Sequence, residues 1–113
     1  MGELLREIAK AEAGLIEDQT AKADAGKLRI SLVPTEIVYA VARVRMFAVT
    51  HKYKDPDNWK NVSPQRYRDA LLRHIFAYLD DYDSEDPESG LNHLEHAATN
   101  IAFLLQMRKE GKK

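Results

Sequence analysis

The chain contains no cysteine. That absence removes disulfides, thiolate metal ligands and thiol nucleophiles together, and it makes a reducing, cytoplasmic setting the expectation. No apolar run approaches the roughly 20 residues that span a bilayer, so no membrane association is expected. The opening stretch, MGELLREIAK, is charged too early to hold a signal-peptide core. Neither sign of charge dominates: 17 basic residues stand against 18 acidic ones, for a net charge of −1. Nucleic-acid binders normally show a basic excess on one face, so direct nucleic-acid binding is not expected either. Walker, GxGxxG, GxSxG and HExxH motifs are all missing, and with them any support for a serine nucleophile. There is no internal repeat and no low-complexity tract.

What is present is a globular composition, with 44% apolar and 31% charged residues over 113 positions. A chain of this size forms one domain, residues 1–113, with a modest core. Leu4, Leu5, Ile8, Ala11, Leu15 and Ile16 recur at helical spacing and predict an N-terminal helix within residues 1–22. Gly26 then marks a turn, and LRISLVP is a short, partly extended approach because Val33 precedes proline. A second helix is expected from Pro34 or Thr35 to about His51, with Ile37, Val38, Val41, Val44, Arg45 and Ala48 on one face. Ser63 followed by Pro64 opens a third, to about residue 80, and a fourth is expected from about Ser89 to Arg108. Leu91, Leu94, Ala98, Ile101 and Leu105 make its core stripe. The expected architecture is all-α, a small bundle of three to four helices with almost no segment offering a strand.

That last helix carries an anomaly, ESGLNHLEHAATN. His93, His96 and Asn100 share one helical face at about 100° per residue, so the helix is apolar on both sides of a polar stripe. A twofold oligomer is expected to cover what one bundle leaves exposed. The stripe should turn inward or into a cleft, because each unsatisfied buried polar group costs roughly 1–3 kcal/mol. The plainer alternative, histidines flanking the core and reaching solvent, carries even weight on spacing alone.

Histidine is the commonest metal-ligating side chain, and HxxH can converge on one ion with Asp86 and Glu88 nearby. His74 shares the apolar face of the third helix with Tyr67, Leu71 and Tyr78, where histidines are most often hydrogen-bonded core residues. Arg73 beside it can hold a phosphate, or pair with Asp69 one turn earlier. Trp59, the single tryptophan, lies in the loop KYKDPDNWKNVSP, over a pocket as a stacking platform or over the core as a lid. Lys27 and Arg29 meet an anion or merely solvate a linker. The short acidic connection makes the third and fourth helices antiparallel neighbours, which should place His74 level with His93 and His96, with Asp86 and Glu88 at the mouth of the cleft.

Taken in order, GKLRISLVP, VARVRMFAVTHKYKDPDNW, RYRDALLRHIFAYLDD and DPESGLNHLEHAATNIAFLL resemble the dATP/dGTP diphosphohydrolase N-terminal domain family over about residues 24–106. Its members are small and frequently phage-encoded. The combination of NW, RH, ESG and HLxHAxxN carries the resemblance. It implies a MazG-like, metal-dependent nucleoside triphosphate pyrophosphohydrolase, acting on a purine dNTP to give monophosphate and pyrophosphate. It also implies Mg²⁺ or Mn²⁺, a dimer or tetramer, and a host cytoplasm. Carried onto this chain, it points to His74, His93 and His96 in catalysis. Lys27, Arg29, Asn58, Trp59, Arg73 and Asn100 would bind substrate, and Asp86, Glu88, His93 and His96 would bind metal.

One departure matters. MazG-type enzymes hold metal with ExxE and ExxD on helices, whereas here HxxH stands where ExxD would be expected. Glu85 and Glu88 have ExxE spacing but flank Pro87. Either the metal set differs, or the histidines meet substrate while the acidic loop holds the ion. Two other functions use the same residues. One is a module that binds a nucleotide without turning it over, and the other is a helical interaction protein.

Overall fold

The computed structural model describes residues 2–6, 8 and 20–113. The chain divides into two compact units, Met1–Pro34 and Thr35–Lys113. In the first, residues 2–6 and 8 are helical, and most of the expected N-terminal helix lies outside the described residues. Gly26 turns the chain at φ 82°. Ile30–Leu32 wind into a single 3-10 turn where an extended approach was expected. Val33 is extended, at φ −79° and ψ 129°, as the following proline requires.

The second unit is all-α, as expected. It holds α1 (Glu36–His51), α2 (Pro64–Asp80) and α3 (His93–Lys109), with a 3-10 turn at Asn58–Asn61 before α2. Among the described residues there is no strand, only an isolated antiparallel bridge between Glu85 and Asn92. No described helix is long and apolar enough to cross a membrane. Pro64 opens α2 in the first turn, where its missing N–H costs nothing. Ser63 precedes it with extended backbone but makes no side-chain cap. α3 packs against both α2 and α1 and is the central helix of the unit.

α3 begins four residues later than its periodicity suggests, at His93. Asn92 decides this. Its Oδ1 accepts the Leu94 N–H at 2.8 Å and its Nδ2 donates to the Tyr82 carbonyl at 2.9 Å. One side chain thus caps α3 and ties it to the start of the connection leaving α2. Asn92→Ala should lower stability by about 1 kcal/mol, read by urea denaturation. An unchanged midpoint would mean that the Glu85–Asn92 bridge alone holds the helix start.

The buried residues of α3 are not those of the expected core stripe. Ala97 and Met107 are each 1% exposed, with Thr99 and Asn100 buried beside them and Ala40 and Val44 of α1 facing in. Leu94, Ile101 and Leu105, expected as core, are 45%, 43% and 64% exposed. Ile37 and Val38 of α1 are also exposed.

Candidate functional site

The connection from α2 to α3 is an ordered turn. The Asp86 N–H donates to the Leu91 carbonyl and the Gly90 N–H to the Asp86 carbonyl, both at 2.8 Å. Gly90 sits at φ 72°, in the left-handed region, where a side chain would be strained. Inside this turn the Ser89 N–H donates to Asp86 Oδ2 at 3.0 Å, and Ser89 Oγ accepts the Leu91 N–H at 3.1 Å. Ser89 Oγ also meets His96 Nε2 at 2.6 Å. The sequence ESG is thus a bracket that holds a carboxylate and a hydroxyl against the first turn of α3.

His74 of α2 projects into the same place. Its Nδ1 lies 2.8 Å from Nδ1 of His93, so one of the two rings carries the proton between them. Its ring stacks on His96 with centroids 4.7 Å apart and planes 14° from parallel. Burial, with His96 and His93 crowding the same space, pushes His74 down to about 4. Burial also lowers His96, opposed by Asp86. His96 and Asp86, 3.8 Å apart, therefore meet at neutral pH as a neutral ring beside a carboxylate rather than as an ion pair. Burial raises Asp86, but the Ser89 amide and the nearby His96 outweigh it and hold the carboxyl below its ordinary value. One donor atom each from His74, Asp86 and His93 lies within 4.8 Å of the others. This group can hold a metal ion.

A cavity of about 420 Å³ opens beside the cluster, and its lining includes His74, Asp86 and Glu88 together with Tyr53, Asn58 and Trp59. Four cations line it: Arg45, Lys52, Arg66 and Arg73. Lys52 pairs with Glu88 at 3.1 Å. Arg45 donates to the Pro56 carbonyl and lies 5.2 Å from the centre of the Phe103 ring. Arg66 and Arg73 have no carboxylate partner among the described residues. Trp59 stacks on Phe103 at 4.6 Å, and Tyr67 fixes its backbone by donating to the Trp59 carbonyl at 2.9 Å.

The structure thus brings His74, Asn58, Trp59, Arg73, Asp86 and Glu88 to one cavity, with His93 and His96 packed on His74. Asn100 is buried behind them, its Nδ2 donating to the His96 carbonyl at 2.9 Å. Lys27 and Arg29 are exposed residues of the first unit. Ser89, Arg45, Lys52 and Arg66 escaped the sequence reading. Ser89 lies inside the quoted ESG and could have been found by asking what fixes Asp86. The three cations carry no local signal that separates them from ordinary surface charge.

The family profile described as dATP/dGTP diphosphohydrolase, N-terminal, matches residues 17–113. The chain is 34% identical over 83 residues to a dATP/dGTP diphosphohydrolase of Salmonella phage PMBT28. The matched stretch takes in 74% of this chain and 28% of that protein. No solved structure matches.

Proposed function

The chain belongs to the dATP/dGTP diphosphohydrolase N-terminal family, and we propose from that premise that its cavity takes a purine deoxynucleoside triphosphate and hydrolyses it to monophosphate and pyrophosphate. The observation that carries this reading is the pair Arg66 and Arg73, lining one cavity with the histidine–aspartate cluster and lacking carboxylate partners among the described residues. Guanidinium groups match phosphate oxygens in bidentate fashion and stay charged throughout.

In this reading Arg66 and Arg73 hold the triphosphate and stabilise charge that develops on the bridging oxygen. Water attacks the α-phosphorus, the bond to the bridging oxygen breaks, and pyrophosphate departs. The water's proton leaves to bulk solvent, and His96, the cluster imidazole outside the candidate ligand group, stacks on His74 and supports it. Ser89 and the Asn100 contact to the His96 carbonyl keep that ring in place. His74, Asp86 and His93 would hold a divalent cation, Mg²⁺ or Mn²⁺ by resemblance. When bound, that ion neutralises phosphate charge and makes a coordinated water more acidic. The base lies towards Asn58 and Trp59. One face of the Trp59 ring is taken by Phe103, so a base would stack on the other, and Lys60 Nζ lies 5.9 Å from the ring centre.

The test is incubation with a mixed dNTP and NTP pool and Mg²⁺, then Mn²⁺, with mass spectrometry for monophosphate and pyrophosphate. Diphosphate with free phosphate would overturn the bond assignment. The second reading, binding without turnover, is favoured by one observation: the chain spans 28% of the length of the curated relative it matches. Bound nucleotide recovered unchanged would select it.

A homo-oligomer forms part of this proposal. Leu72, Phe76 and Leu79 of α2 are 50%, 64% and 58% exposed, and Leu105 of α3 is 64% exposed. So much bare aliphatic and aromatic surface fits a second copy of the chain. Light scattering at micromolar concentration should give at least twice the chain mass, and a monomeric mass would sink the idea.

A further inference from the structure

We propose that His74, Asp86 and His93 bind a borderline-soft transition-metal ion of the Zn²⁺ or Co²⁺ type in preference to Mg²⁺. This rests on the reading above for its place in the molecule and goes beyond it in the chemical class of the ion.

The three residues come from α2, the bracketed turn and α3, so only the folded unit brings them together. All three are partly buried. The two Nδ1 atoms at 2.8 Å already point at one another. Nitrogens that share an ion, each about 2.0–2.1 Å from it, stand roughly 3–3.5 Å apart. Replacing the shared proton with a shared metal therefore takes about half an ångström of separation and a turn of both rings toward the ion.

The donor set selects among ions. Mg²⁺ sheds its water reluctantly and takes oxygen ligands, usually one or two carboxylates with substrate phosphates. Here two of three donors are imidazoles, which suit Zn²⁺, Fe²⁺, Ni²⁺ and their neighbours. Two histidines with one carboxylate are also the ligand count that leaves a position for water or substrate. His74 and Asp86 line the cavity, so such a position lies on the substrate side.

The acid and the histidine that would complete the HxxH reading are engaged elsewhere. Glu88 pairs with Lys52 at 3.1 Å, with a side chain 57% exposed. His96 Nε2 is bonded to Ser89 Oγ at 2.6 Å. His96 and Ser89 instead brace Asp86, through the 3.0 Å Ser89 amide bond and the 3.8 Å approach of the His96 ring. Such outer contacts orient a ligating carboxylate.

The experiment needs no nucleotide. Chelator-stripped protein is dialysed against Co²⁺, Zn²⁺, Mn²⁺ or Mg²⁺ singly, and bound metal is counted by mass spectrometry. Co²⁺ is also followed by its visible absorption. The expected result is one Co²⁺ or Zn²⁺ per chain, with Mg²⁺ at least about 100-fold weaker. His74→Ala, His93→Gln and Asp86→Asn should each weaken Co²⁺ binding by more than about 100-fold, and His96→Ala, which removes only an outer contact, by about 10–100-fold. Circular dichroism confirms that each variant is folded, and His93→Gln, at the start of α3, keeps the proposal testable if His74→Ala is not. Equal affinity for Mg²⁺, no Co²⁺ binding, unchanged affinity in the folded ligand variants, or a His96→Ala loss as large as theirs would overturn the site. Co²⁺ binding without any nucleotide turnover would sink the hydrolase reading alone. Turnover in Mg²⁺ by a protein that binds no Co²⁺ would sink this inference alone.

Discussion

His93→Ala should lower turnover of a deoxynucleoside triphosphate by about 10²–10⁴-fold, the range associated with loss of a group at the reacting centre. The fold should survive. His93 is the first residue of α3, and the helix start is held by Asn92 Oδ1 and by the His93 N–H donating to the Ser84 carbonyl at 3.1 Å. Both contacts remain in the alanine variant. The contacts of its imidazole are with His74, at 2.8 Å between Nδ1 atoms and 5.1 Å between ring centres. Losing one such bond costs about 1 kcal/mol of stability, a few degrees in melting temperature. Steady-state rates beside a thermal scan make the comparison. Wild-type turnover with a large fall in melting temperature would recast His93 as a packing residue.

Acid should destabilise the metal-free protein between pH 6.5 and about 4, the ordinary and folded values for His74. In the unfolded chain His74 takes up a proton as the pH falls through the first value. In the folded chain burial and the neighbouring imidazoles refuse it until the second. The unfolded state thus binds more protons across this window, and unfolding free energy falls as pH falls. The loss from His74 is complete once the pH is below about 4. His96, also lowered, adds in the same direction. Asp86 works in the same sense at lower pH: its lowered carboxyl lends stability that is lost only as the pH falls below its ordinary value of 3.8, under this window. With allowance for solvent screening of a half-buried cluster, the loss is about 2 kcal/mol. Denaturant midpoints at pH 7, 5.5 and 4.5, with chelator present, measure it. His74→Gln should flatten the profile. Stability that is level or rises towards pH 4.5 would show that the histidines are hydrated rather than packed.

The sequence by itself determined the helices of the second unit and the ingredients of its cluster. Ser63 before Pro64 places the start of α2 because proline's fixed φ and missing N–H suit that position alone in a helix. The spacing of His93, His96 and Asn100 puts them on one side of α3 because 3.6 residues per turn is a property of the backbone. The family was legible too, through short motifs in order rather than through any one of them. The inward turn of the polar stripe was legible, with Asn100 buried and His93 and His96 half-buried, but which apolar residues pack beside it was not. The helix is apolar on both sides of its polar stripe, and periodicity is silent between two equivalent faces. The tertiary structure buried Ala97 and Met107 and left Leu94, Ile101 and Leu105 outside. It also decided the start of α3, where the Asn92 cap and the Glu85–Asn92 bridge overrode a periodic pattern running back to Ser89. Arg66 and Arg73 became candidate phosphate ligands only once the folded cavity showed them without carboxylate partners. His74 and His93 stand 19 residues apart, and their 2.8 Å approach depends on how α2 packs against α3. Helical period is set by dihedral angles within each segment. Contact between segments is set by side-chain shapes that meet only after folding, so a cluster drawn from two helices and a turn belongs to the packing.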